Sequence, residues 1–171
     1  MNWVGRIVDE LGWTPLSLEI PWGEIEGILN CPLPKDFKEL CETFGRGTFS
    51  GSLEIASSSG GADIGVVTQW SSLKRIVQVN QFAAADFERF GVYQIGSGGL
   101  LPWADTYSSC QMYWLVSELP SEEWPIVVQD SEGEWSTFPM SASEFLFRML
   151  TDLEFEFSVA EYGPPYYDPA Y

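Results

Sequence analysis

Apolar residues recur at helical spacing through the first half of the chain and shift toward strand-like runs in the second. Trp3, Val4, Ile7, Val8 and Leu11 fall three and four positions apart, and Gly12 and Pro15 stop that helix. A second short helix reads Trp22, Ile25, Ile28 and Leu29 behind Pro21. After the turn at Leu33-Pro34, Phe37, Leu40, Cys41 and Phe44 occupy i, i+3, i+4 and i+7, one face of a third helix that Gly45 and Gly47 end. Residues 48–55 alternate loosely and read as a single strand, and 57–63 form a polar Ser/Gly loop. Val67, Trp70, Leu73 and Val77 predict a fourth helix over 67–80, with another helical turn carrying Phe82, Phe87 and Phe90.

Beyond residue 90 the period changes. Residues 92–95, 111–117, 124–129 and 134–138 are β-rich runs separated by Gly, Pro and acidic turns, with a hairpin turn at Asp130-Ser131-Glu132-Gly133. The last helix opens on Ser141-Ala142-Ser143-Glu144, a capping box, and buries Phe145, Leu146, Met149, Leu150 and Leu153. This order predicts one α+β domain over residues 1–153, a mostly antiparallel sheet flanked by N-terminal, middle and C-terminal helices. Residues 154–171 read as an acidic Tyr- and Pro-rich tail, loose or draped over the domain.

Charge narrows the function. The 171 residues include 25 Asp and Glu against 8 Lys and Arg, a formal net charge of −17. Spread over the roughly 8,400 Å² that a folded chain of this mass exposes, that is about one net negative charge per 500 Å². Such a field repels nucleic acid and anionic lipid, so neither is an expected partner. An apolar content of 45% with 15% aromatics marks a folded domain, not an acidic disordered tail. No run of 18 apolar residues spans a membrane, and the N-terminus shows no basic region leading into an apolar core. Three cysteines, Cys31, Cys41 and Cys110, are expected as free thiols of a cytoplasmic protein, Cys41 on the buried stripe of its helix.

Histidine is absent, which removes Ser-His-Asp and Cys-His catalysis and histidine metal ligation. Asp130 to Glu134 lacks the spacing of a calcium loop, and Gly96-Ser97-Gly98-Gly99 lacks the Lys-Ser/Thr ending of a phosphate loop. No catalytic constellation, cofactor or metal is expected, and the protein is read as a binding protein, not an enzyme. Glu118, Glu122, Glu123, Asp130, Glu132 and Glu134 gather on the turns joining three predicted strands, with Trp103, Trp114, Trp124 and Trp135 near them in sequence. One reading makes the acids ordinary solvated turns and the tryptophans core. The other makes a surface for a cationic protein, the acids steering and Trp103 and Trp124 anchoring.

Several segments, in order, resemble the SUKH superfamily, which contains bacterial immunity proteins and a yeast regulator of cell-wall assembly. They are Trp22-Gly23-x-Ile25-Glu26, Leu33-Pro34-x-Asp36-Phe37-Lys38-x-Leu40, Phe44-Gly45-x-Gly47-x-Phe49, Gly99-Leu100-Leu101-Pro102-Trp103-Ala104, Tyr113-Trp114, Trp124-Pro125-Ile126-Val127-Val128, Trp135 and Ser143-Glu144-Phe145-Leu146. The likeness covers roughly residues 20–152 and is closest to actinobacterial members. It departs from the family at 107–111, where a Gly-Asp turn is usual and Tyr107-Ser108-Ser109-Cys110-Gln111 stands instead. The resemblance implies an α+β fold and an intracellular immunity protein that binds and neutralises a cognate toxin, often a nuclease or deaminase. The alternative it leaves open is a regulatory scaffold of the cell-wall regulator type. Leu33, Pro34, Phe37, Phe44 and Gly45 read physically as a helix with its flanking turns, better suited to fold than to site.

Overall fold

The computed structural model describes residues 1–58 and 65–170. Four helices precede the main strands: α1 (Trp3–Leu11), α2 (Trp22–Leu29), α3 (Lys35–Phe44) and α4 (Val66–Val79), followed by the short α5 (Gln81–Asp86). Asn2 caps α1 by accepting from the Gly5 amide at 2.8 Å, and Gly12 ends it with φ of 58°. The α2–α3 connection is tied by Glu26, which accepts from the Leu33 amide and from Lys38 Nζ, both at 2.8 Å. From the predicted loop 57–63, residues 59–63 lie outside the described residues.

Where one strand was expected over 48–55 there are two, β1 (Gly47–Phe49) and β2 (Leu53–Ile55), paired as a hairpin. Ser50 and Gly51 hold φ of 49° and 61°, the two successive left-handed positions that a tight hairpin turn needs. Residues 92–95 form no strand, only isolated bridges to Leu100 and Gly98. The chain turns back at once through Gly96, Gly98 and Gly99, all at positive φ, and a Cβ on Gly98 would lie 2.5 Å from the Val116 carbonyl. The strand follows that turn. It is β3 (Gly99–Thr106), then β4 (Gln111–Val116), β5 (Ile126–Gln129) and β6 (Trp135–Phe138), before α6 (Ala142–Thr151).

A last strand, β7 (Tyr167–Pro169), comes from the expected tail and pairs with β1, so among the described residues the sheet has seven antiparallel strands in the order β6-β5-β4-β3-β2-β1-β7. The tail is therefore part of the domain. Tyr167 packs its ring against Trp13, Phe44 and Phe49, with centroids 4.7–5.1 Å apart, and donates its hydroxyl to the Phe44 carbonyl at 3.0 Å. Phe155 and Phe157 close over Phe138 and Phe145. Tyr171 is outside the described residues.

The sheet has two unequal faces. One carries Phe49, Leu53, Leu101, Trp103, Met112, Trp114, Ile126 and Val128 into the main core under α1, α3 and α6. Phe37 of α3 meets Trp114 edge-on at 4.8 Å, and Trp103 stacks with Trp114 at 6.0 Å. The other face holds a smaller cluster, Phe87, Leu100, Tyr113 and Val127, with Leu73 and Val77 of α4 packed on it. The capping box of α6 is half realised. Ser141 Oγ accepts from the Glu144 amide at 3.2 Å, but Glu144 pairs with Arg148, and the Ser143 amide is satisfied by Asp36 of α3 at 2.8 Å. Among the described residues no helix is long and apolar enough to cross a membrane.

Candidate functional site

The register of the sheet aligns one residue from every strand on its second face. Asp168 lies opposite Thr48, Thr48 opposite Glu54, Glu54 opposite Asp105, Asp105 opposite Gln111, Gln111 opposite Gln129, and Gln129 opposite Trp135. The result is a polar row across all seven strands, ending on an aromatic.

A bulge decides this arrangement. In β3 the register shifts between Pro102 and Ala104, so one extra residue is accommodated there. Leu100 and Pro102 face the second side, Leu101, Trp103 and Ala104 face the main core, and Asp105 then returns to the second side. Strict alternation from Leu100 would have driven Asp105 into the core. Pro102 has no amide to give the ladder, and a bulge is one of the few places a central strand tolerates it.

Glu54 and Asp105 stand directly opposite each other on adjacent strands, about 4.8 Å apart in the pairing direction. Like charges so placed destabilise a sheet. Thr48 and Tyr107 lie beside Glu54, each hydroxyl 3.4 Å from Oε1. Asp105 is half-buried, and burial first, then the Glu54 charge, raises its carboxyl above the usual carboxylate range. Among the described residues the ion pairs are Lys38–Glu26, Arg148–Glu144 and Arg148–Asp152, none of which reaches the row.

Next to the row, α4 and the sheet flank an open cavity of about 400 Å³. Leu73, Phe87 and Pro102 form apolar walls, Asp105, Gln111 and Tyr113 contribute polar groups, and the half-exposed Ile76 forms the rim. Tyr113 is only 3% exposed, and its hydroxyl makes no hydrogen bond among the described residues. Burial, aided by the Asp105 charge, pushes this phenol far above its ordinary value, so it stays protonated.

The residues singled out from sequence fare differently. Trp103 is fully buried, with its indole N–H unpaired among the described residues, and Trp124 is 4% exposed, its N–H donating to the Leu119 carbonyl at 3.1 Å. Neither is a surface anchor: Trp103 faces the main core from β3, and Trp124, in the connection before β5, packs against Trp114 with centroids 6.5 Å apart. The six acids do not form one patch. Glu118, Glu122 and Glu123 occupy the β4–β5 connection, whereas Asp130, Glu132 and Glu134 occupy the β5–β6 turn. Successive turns of an antiparallel meander lie at opposite ends of the sheet, here separated by β5, about 10 Å long. Asp130 is a turn builder, its Oδ1 accepting from the amides of Glu132 and Glu134 at 2.9 Å. Glu118, Glu122, Glu123, Glu132 and Glu134 are exposed. The β5–β6 turn adjoins the row, since its flanking residues Gln129 and Trp135 are the row's last pair.

Sequence reasoning missed Glu54, Asp105, Gln111, Tyr113 and Asp168. The alternation of β4, with Met112, Trp114 and Val116 inward, was the one signal that could have placed Gln111 and Tyr113 on a second face. The thiols behave as expected of reduced cysteines. All three are free, and Cys41 is fully buried, its thiol pushed up to about 12 by desolvation. Among the described residues no group of three or more Cys, Asp or Glu is placed to hold a metal ion. No protein-family model, curated protein or solved structure matches the chain.

Proposed function

We propose that this protein is an intracellular immunity protein of SUKH type that binds and neutralises one cognate cationic toxin domain through the second face of its sheet. The observation that carries the reading is the Glu54–Asp105 pair, two carboxylates opposed across adjacent strands with no ion-pairing cation among the described residues. A sheet shaped for its own stability avoids that pairing; a cation from outside relieves it. The net charge of −17 supports the same reading, because it draws a basic protein from a distance. A toxin that acts on nucleic acid carries a basic phosphate-binding surface, so an acidic inhibitor can occupy the surface that the substrate would use. The order of SUKH-like segments supplies the biological setting.

The test is co-expression with each toxin domain encoded beside this chain. Restored growth, together with co-purification of the pair, is the expected result. If every such toxin kills equally with and without the protein, the reading is wrong. Association should slow between 0.01 M and 0.15 M salt, where the screening length falls from about 30 Å to about 8 Å.

A further inference from the structure

We infer that the cavity between α4 and the sheet is a socket for one arginine side chain of the cationic partner, held by the Asp105 carboxylate and the Tyr113 hydroxyl. The inference rests on the proposed toxin-binding reading and names the group that reading would dock first. Two independent features point to it. The first is charge: Asp105 borders the cavity with Glu54 directly opposite and no ion-pairing cation among the described residues. The second is Tyr113, whose ring is buried (the residue is 3% exposed) while its hydroxyl opens into the same cavity without a hydrogen bond among the described residues. An incoming donor would give that hydroxyl a protein partner in place of solvent.

Arginine fits these walls better than lysine. Its guanidinium is planar, weakly hydrated and carries five N–H donors, so it can serve a carboxylate and a phenol oxygen together, with the Gln111 amide oxygen as a third acceptor. Its planar face can stack on the ring of Phe87, which Tyr113 meets edge to face at 5.7 Å, while its methylenes lie along Leu73 and Pro102. A lysine ammonium would bring three donors and a tightly held hydration shell into a largely apolar recess. At about 400 Å³ the cavity is small for a folded ligand but sufficient for one long side chain.

The experiment titrates N-acetyl-L-arginine N-methylamide into the full chain at about 0.15 M salt and follows it by NMR. Saturable shifts should concentrate on the Gln111 side-chain amide and the rings of Tyr113 and Phe87, with the lysine analogue binding more weakly. Asp105→Asn should weaken the arginine probe about tenfold, and Tyr113→Phe by a smaller factor of about 3 to 10. Should Asp105→Asn fail to fold, Glu54→Gln leaves the socket carboxylate in place and should give a weaker loss of the same sign. Shifts scattered over residues 118–134, or equal binding by wild type and both socket variants, would overturn the inference. The two proposals separate cleanly. Neutralisation of a toxin by Asp105→Asn as well as by wild type removes the socket and leaves the immunity reading standing. Asp105-dependent binding of the arginine probe with no toxin neutralised does the reverse.

Discussion

The two faces of the sheet are built from the same strands and serve different ends. On the main face, Trp103, Trp114, Phe37 and Phe145 interlock under three helices, and every one of them is below 2% exposed. On the second face, α4 and α5 cover only the end that holds Phe87, Leu100, Tyr113 and Val127. The rest of that face displays Asp168, Thr48, Glu54, Asp105 and Gln111 in one row. The difference teaches where selection for stability ends. A packed face explains its own residues; a face that opposes two carboxylates with no ion-pairing cation among the described residues does not.

Deleting residues 154–170 should have the largest effect, because it removes Phe155, Phe157 and Tyr167 from the main face together with β7. Full burial of such a ring is worth about 1.5–3 kcal/mol and these three are partly buried, so losing them together with β7 should remove much of an ordinary chain's stability and its cooperative thermal unfolding. A truncated chain that unfolds as cooperatively as wild type would mean the tail only decorates the domain. Phe37→Ala comes next, with an expected loss of about 3–5 kcal/mol in denaturant titration, since the fully buried ring meets Trp114 edge-on in the main core.

Asp105→Asn should act in the opposite sense and through pH. The folded state holds the Asp105 carboxyl above its reference value of 3.8, so it binds the proton more tightly than the unfolded chain does. Stability from this group is therefore present at low pH and is lost as pH rises from that reference value through the folded value. Wild type should gain thermal stability on mild acidification, and Asp105→Asn should gain less; identical pH profiles would contradict the burial of a strained carboxylate. The same protonation removes the charge that binds a cation, so partner affinity should weaken as pH falls while stability rises. The smallest effect belongs to Glu122→Gln and Glu123→Gln, exposed acids of the β4–β5 connection, which should change stability by less than about 0.5 kcal/mol. They should also leave socket binding of the arginine probe unchanged, since they stand at the far end of β5.

Much of the fold was legible because helical periodicity and punctuation are local. The apolar stripe of α3 and its stop at Gly45, the start of α6 at Ser141, and strands β4 to β6 stand in the structure close to where spacing placed them. Strand β3 was not legible, because Leu100 to Ala104 is covered on both faces and has no alternation to read, and Pro102 argues against a central strand. The acids were legible as residues but not as a surface. Glu118 and Glu132 are close in sequence and at opposite ends of the sheet, whereas Glu54 and Asp105 are fifty-one positions apart and face each other.

The sequence by itself determined an acidic, histidine-free α+β domain, because composition, capping residues and the 3.6-residue period act over a few neighbours. Which side of the sheet each carboxylate faces was decided only in the tertiary structure. A single bulge at Trp103 reverses the parity of β3, and the hydrogen-bond register of seven strands fixes which residues share a row. Both depend on pairing between distant segments. The same holds for the tail: its tyrosines and prolines suggest a strap, but only the open edge of β1 makes Tyr167–Pro169 the seventh strand.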